Sequence, residues 1–171
     1  MITILKSAAI YYICAYKIKK MNFEDLKPLI CHIFANKNTY ETDKLHQICT
    51  LLEQNIAHYN WVGFYFRNGD KEELKLKTYV GAATDHTIIP FGKGICGQVA
   101  LTNKNFVVPD VAAQDNYLSC SIAVKSEIVV PIIANGINIG QIDIDSNILD
   151  PFSEKDERFL EFVCAQVAEL Y

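Results

Sequence analysis

Apolar positions recur with two different periods along this chain. At both ends they return every three or four residues, as in amphipathic helices, and between the ends they alternate or form β-rich runs, as in strands. The predicted helices cover residues 22–35, 41–57, 95–101 and 153–170, and the predicted strands cover 61–66, 74–80, 106–108, 127–133 and 138–145. This order predicts an α+β domain in which an antiparallel sheet of five or six strands carries its helices on one face.

The 171 residues show no internal repeat and no linker, so we expect one domain, covering 21–171. Residues 1–20 are predicted to be an N-terminal extension without a fixed fold. Their apolar run is too short to cross a bilayer and is followed by lysines, unlike a signal peptide. A weak membrane-surface anchor remains an alternative for them. Met21, just ahead of the first helix, is an alternative initiator.

Charge and cysteine usage limit the location and the partners. Asp and Glu outnumber Lys and Arg by 20 to 16, and no long basic run occurs, which argues against nucleic acid and anionic membranes as partners. The six cysteines include no C-x-x-C pair, so no metal site is expected and reduced thiols in a cytoplasm are predicted. Cys31 and Cys49 follow apolar helical stripes and are predicted to be buried.

Two cysteines lie where chemistry is plausible. Cys96 follows a glycine-rich turn at the start of a short helix, where the helix dipole favours a thiolate. Cys120 lies in a polar loop, and a loop thiol is more often exposed and reactive than a strand thiol. The alternatives stay open: Cys96 as a small packed residue in a tight turn, and Cys120 as an incidental surface cysteine.

Three carboxylates interrupt otherwise apolar strands. Asp143 and Asp145 are two positions apart and therefore face the same side of the sheet, opposite to Ile142 and Ile144. Glu127 opens the preceding strand. Carboxylates held close together raise one another's pKa, which would supply a proton donor near neutral pH. A solvated polar face is the simpler alternative.

Five blocks together resemble GAF domains, and more narrowly the free methionine-(R)-sulfoxide reductases. They are NWVGFY at 60–65, PFGKGICG at 90–97, VPDV at 108–111, SEIVVP at 126–131 and GQIDIDS at 140–146. The similarity runs in order from about residue 21 to the C-terminus. It implies a GAF-type fold and reduction of free methionine R-sulfoxide to methionine.

The resemblance also implies a role for individual residues. Cys120 matches the nucleophile whose thiolate attacks the sulfoxide sulfur, and Cys96 matches a second cysteine of the family. The carboxylates matching the substrate-holding acids are Glu127, Asp143 and Asp145, and the matching aromatic residues are Trp61 and Tyr65. Thioredoxin or a small thiol is the implied reductant, a homodimer is expected, and no cofactor is expected.

One departure from the family pattern concerns His86, which replaces a cysteine that usually resolves the oxidised nucleophile. Either Cys96 and Cys120 form the disulfide themselves, or a small thiol completes the cycle, or activity is lost. His86 could instead act as a modulator that lowers the pKa of Cys120, although an ordinary loop histidine is the favoured interpretation. The alternative function is a non-catalytic GAF module that binds a small molecule as a sensor. A metal site formed by Cys96, Cys120 and His86 fits no common spacing.

Overall fold

A six-stranded antiparallel sheet lies at the centre of the fold, and the computed structural model describes residues 21–116 and 123–171 of the chain. The strands are β1 (Trp61–Arg67), β2 (Glu73–Val80), β3 (Ile88–Pro90), β4 (Phe106–Val108), β5 (Ser126–Ala134) and β6 (Ile137–Ser146). The helices are α1 (Phe23–Ala35), α2 (Glu41–Asn55), α3 (Gly94–Thr102) and α4 (Glu154–Ala168), with a 3₁₀ turn at Val111–Ala113. The strand order β3-β2-β1-β6-β5-β4 confirms the predicted α+β class.

The three long helices cover one face of the sheet. Alternate residues of the central strands, such as Val62 and Phe64 in β1 and Ile142 and Ile144 in β6, point into this layer and are fully buried. They pack against the apolar stripes of α1, α2 and α4. Burial of this continuous apolar surface is the main stabilising contribution to the fold.

The opposite face carries a smaller core beneath the short helix α3. Trp61 and Tyr65 point to this side because they alternate with Val62 and Phe64 along β1. Ile95 and Val99 of α3 pack over the same cluster. Helix α3 therefore covers the half of β6 that carries the carboxylates. This second face of the sheet is where the candidate active site lies.

Two details differ from the sequence expectation. Strand β3, which the sequence did not predict, is three residues long and pairs with β2; it ends in Pro90 directly before a glycine-rich turn, so its composition indicates a turn rather than a strand. The prediction that Cys31 is buried is wrong, because α1 faces the sheet through Leu26 and Ile30, which turns Cys31 to the exposed side. Cys49 is buried as predicted.

Within the two described ranges, no helix combines the length and the apolar character needed to cross a membrane. The predicted extension at 1–20 and the predicted nucleophile Cys120 lie outside the described residues.

Candidate active site

Three carboxylates meet on the second face because of the register of three adjacent strands. Asp145 of β6 pairs with Glu127 of β5 on one side and with Trp61 of β1 on the other. Asp143, two positions earlier, pairs with Gly63 in β1. Since side chains alternate along a strand, all three carboxylates project to the side that α3 covers.

The carboxylates are almost completely shielded from water, with exposed fractions of 4% for Glu127 and 2% each for Asp143 and Asp145. One oxygen of each aspartate has no hydrogen-bond partner among the described residues. No salt bridge in the described part of the chain reaches any of the three. Buried charges without partners are costly, so the cluster is an uncompensated concentration of potential negative charge.

This environment changes the acidity of the three groups. Burial raises the pKa of Glu127 well above its usual range, and the nearby charges of Asp143 and Asp145 raise it further. Burial also raises the pKa of Asp143 to about 7, although a hydrogen bond with the Cys96 side chain lowers it in part. The pKa of Asp145 is likewise raised by burial and by the charge of Asp143. The cluster therefore keeps exchangeable protons near neutral pH.

The first turn of α3 brings Cys96 against the carboxylates. Gly92 and Gly94 adopt positive φ angles of 79° and 62°, which lets the chain turn tightly into the helix. Cys96 is a buried residue with 4% of its surface exposed, and its Sγ lies 4.0 Å from Oε1 of Glu127. Ligand atoms of Cys96, Glu127 and Asp143 all lie within 4.8 Å of one another. The structure thus brings together residues up to 47 positions apart in the sequence.

His86 and Tyr65 lie beside this cluster. The Tyr65 hydroxyl donates a 2.8 Å hydrogen bond to the backbone oxygen of His86, so this aromatic residue anchors the segment that leads into β3. His86 lines a small cavity together with Cys96, Glu127 and Asp143. Cys120 lies outside the described residues, so the structure gives no distance between it and His86.

The indole of Trp61 lies next to Asp145 and is held in place by a hydrogen bond and a stacking contact. Its indole nitrogen donates to the Ala82 oxygen at 3.1 Å, and its ring stacks on Tyr79 with centroids 5.3 Å apart. The ring lies over Gly63, where an added Cβ would come within 2.2 Å of the indole. A side chain at position 63 would therefore displace the tryptophan.

The candidate residues line two neighbouring cavities. Trp61 and Asp145 line a cavity of about 80 Å³, together with backbone and side chains near Ala82 and Ala123. Cys96 lies instead at a cavity of about 10 Å³, large enough for one water-sized particle. A larger cavity, about 480 Å³, lies between α1 and α4 and is lined by neither a cysteine nor a buried carboxylate, so its size carries no functional argument.

Two further polar residues at this face were not singled out from the sequence. Gln141, two positions before Asp143, is fully buried, and neither of its amide atoms has a partner among the described residues. Asn116 donates a 2.8 Å hydrogen bond to the Gly92 oxygen and accepts a longer bond from the Gly94 nitrogen. The alternation of β6 could have revealed Gln141, whereas the Asn116 contact is purely tertiary.

Comparison with known proteins agrees with this fold. A model of the GAF domain family matches residues 41–170. GAF domain-containing protein A of Dictyostelium discoideum is 34% identical over 83% of this chain and 87% of its own length. The free methionine-R-sulfoxide reductase of Escherichia coli is 33% identical over 70% of this chain and 71% of its own.

The solved structures include a close match. The free methionine-R-sulfoxide reductase from Neisseria meningitidis in complex with its substrate superposes with a TM-score of 0.80 at 32% identity, covering 86% of each chain. This chain therefore belongs to the free methionine-R-sulfoxide reductase family of GAF-domain proteins.

Proposed function

We propose that this protein reduces free L-methionine (R)-sulfoxide to methionine, with a reducing cytoplasm as its location. The observation that carries the proposal is the convergence of Cys96 with three buried carboxylates beside a cavity walled by Trp61. Relatives named as free methionine-R-sulfoxide reductases support the substrate. The cavity of about 80 Å³ is well below the size of drug-binding pockets, in keeping with a single small amino acid.

Each end of the substrate has a complementary group. The buried carboxylate of Asp145, with an oxygen that lacks a partner among the described residues, would take the ammonium group. The face of Trp61 would take the methyl group attached to sulfur. Glu127 and Asp143 would lie at the sulfoxide oxygen, where a protonated carboxyl group can donate to it. Tyr65 acts by holding the His86 segment beside the cavity.

The chemical steps follow from the family resemblance and from elementary sulfur chemistry. The Cys120 thiolate attacks the sulfoxide sulfur, and protons from the carboxyl cluster go to the oxygen as the S–O bond breaks. The oxygen leaves as water, and a water molecule then attacks the Cys120 sulfur, so that methionine departs and Cys120 is left as a sulfenic acid. The Cys96 thiol then forms a disulfide with Cys120 and releases water, and thioredoxin or a small thiol reduces that disulfide.

Two features of the described residues support these assignments. A thiolate at Cys96 would lie against Glu127 and Asp143 and be repelled by them, which favours Cys96 as the resolving thiol. Asn116 and Ala123 flank the segment that contains Cys120, and both lie at the candidate site. Cys120 is four residues from Asn116, a chain length of at most about 14 Å. The expected homodimer remains a prediction.

The deciding experiment incubates the purified, metal-free protein with free methionine R-sulfoxide and either dithiothreitol or a thioredoxin system. Methionine should form from the R epimer, and the S epimer should be a poor substrate. Peptide mapping after one equivalent of substrate, without reductant, should show a Cys96–Cys120 disulfide. Binding of the sulfoxide without turnover under either reductant would contradict the reductase and favour the sensor alternative.

A further inference from the structure

A compact group of metal-ligating atoms lies at the small cavity on the second face. The group comprises the sulfur of Cys96 and one carboxylate oxygen each from Glu127 and Asp143, all within 4.8 Å of one another. All three residues are more than nine-tenths buried. In addition, Oδ1 of Asp143 has no hydrogen-bond partner among the described residues. An unsatisfied buried oxygen on a residue that lines the cavity leaves a place for a further partner.

The size of the cavity limits what that partner can be. Its volume of about 10 Å³ corresponds to a single water-sized probe. A whole molecule of methionine sulfoxide does not fit there, whereas a single sulfoxide oxygen, one water molecule or one dehydrated metal ion does. This cavity is also separate from the one that Trp61 and Asp145 line.

The charges and the ligand types favour a cation over water. When the thiol and the two carboxyl groups are deprotonated they carry three negative charges, of which a divalent ion compensates two, so metal binding must displace the protons that the cluster otherwise keeps. Thiolate and carboxylate ligands suit Zn²⁺, which takes tetrahedral sites with three protein ligands and one open position. A tetrahedral zinc ion places its sulfur and oxygen ligands about 3.5 Å apart. The sulfur of Cys96 lies 4.0 Å from Oε1 of Glu127 and the three ligand atoms lie within 4.8 Å of one another, so the group would have to contract around the ion.

We propose that Cys96, Glu127 and Asp143 bind one zinc-type divalent cation, with the fourth coordination position left open. Binding displaces the thiol proton of Cys96. Occupation of this site would also inhibit sulfoxide reduction, since the ion holds Cys96 as a bound thiolate and engages two of the carboxylates. Only this inhibitory consequence rests on the proposed function.

The test uses reduced, metal-free, full-length protein titrated with CoCl₂. Cobalt bound by a thiolate gives a near-ultraviolet charge-transfer band, and we expect saturation at one equivalent and displacement by ZnCl₂. C96S should remove the band while the protein remains folded by far-ultraviolet circular dichroism. E127Q and D143N should each weaken cobalt binding by about 100-fold or more, because even outer-sphere partners contribute 10–100-fold.

Two cysteine variants are matched controls. C31S removes an exposed thiol on α1, and C120S removes the other thiol that the sequence predicts near the site. Both should keep the band with unchanged affinity. Persistence of the band in C96S, its loss in C31S or C120S, or full affinity in D143N and E127Q would each overturn the proposal. If C96S does not fold, the affinities of the two carboxylate variants decide.

Activity is then measured separately, so that failure of the site and failure of the reductase are distinguishable. Stoichiometric binding at Cys96 without turnover would uphold the site and contradict the reductase. Turnover in a protein that binds no cobalt would uphold the reductase and contradict the site. When both are observed, one equivalent of ZnCl₂ should abolish most of the turnover, and EDTA should restore it.

Discussion

Two buried acidic regions of this molecule have opposite environments. At the start of α4, Asp156 accepts hydrogen bonds from Nε2 of His58 at 2.6 Å and from the backbone nitrogen and hydroxyl of Ser153 at 2.9 and 2.6 Å. On the second face of the sheet, Asp143 and Asp145 each leave an oxygen without a partner among the described residues. Both regions are shielded from water, so the difference lies in hydrogen bonding.

The pKa directions follow this difference. Burial alone would raise the pKa of Asp156, but the hydrogen bonds from His58 and Ser153 outweigh it and hold that pKa below its usual value. Burial raises the pKa of Asp143 to about 7. A satisfied carboxylate stabilises the fold, whereas an unsatisfied one is costly and is retained where a ligand or a reaction uses it. On this contrast we propose a structural role for Asp156 and functional roles for Asp143 and Asp145.

The largest expected effect is on activity. D143N removes a proton donor but nearly conserves shape, and we expect kcat/KM for methionine R-sulfoxide to fall by about 10²–10⁴-fold. E154Q, an exposed acid-to-amide change at the first position of α4, is the matched control and should retain full activity. Steady-state kinetics with EDTA present measures both. Equal activity in D143N and the wild type would show that Asp143 is a structural residue like Asp156.

The next effect is on stability at the other acid. D156A removes three hydrogen bonds and leaves His58 and Ser153 without their acceptor, so the free energy of unfolding should fall by about 2–4 kcal/mol. Chemical denaturation at pH 7 gives the value. E154Q again serves as the control, because its exposed pair with Arg158 contributes less than about 1 kcal/mol. If D156A lost less than about 1 kcal/mol, as the control does, a structural role for these hydrogen bonds would be contradicted.

The pH dependence should have opposite signs in the two regions. Native Asp143 retains a proton that the unfolded chain releases, so its contribution makes metal-free protein less stable as pH rises from about 4 through about 7. D143N lacks this dependence and should be more stable than the wild type by about 1–3 kcal/mol at pH 8, with little difference at pH 4. Thermal melts across this range test the sign. A destabilised D143N at pH 8 would refute it.

Asp156 should behave in the reverse way. Its pKa is lowered in the folded state, so its stabilising contribution is present above its unfolded value of about 3.8 and is lost as pH falls through the folded pKa. The destabilisation caused by D156A should therefore be largest at neutral pH and shrink below pH 4. A difference that stays constant down to pH 2 would argue against this assignment.

The smallest effect comes from the capping hydroxyl alone. S153A removes one bond to Asp156 but leaves the backbone nitrogen and His58 in place, and we expect a loss of about 1 kcal/mol. Denaturation at pH 7 measures it. A loss as large as that of D156A would mean that the hydroxyl, rather than the histidine, satisfies the carboxylate.

Local patterns predicted most of the fold. The change of period marked the long helices and five strands, and the capping pattern at Ser153 and Asp156 was readable because its partners are three residues apart. The third hydrogen-bond partner of Asp156, His58, could not be predicted from a local pattern because it lies 98 positions away in the sequence. Strand β3 was not predicted because it ends in Pro90 next to a glycine-rich turn, whereas the equally short β4 consists only of aromatic and β-branched residues.

The sequence by itself determined that Asp143 and Asp145 share a face, because the alternation of a strand is a local geometric property. Only the tertiary structure decided that Glu127 lies opposite Asp145 and that Cys96, in the first turn of α3, packs against the carboxylates. Strand register and helix packing depend on the burial of the whole apolar core. These contacts between residues far apart in the sequence also decide which buried carboxylates accept hydrogen bonds and which keep an oxygen without a partner.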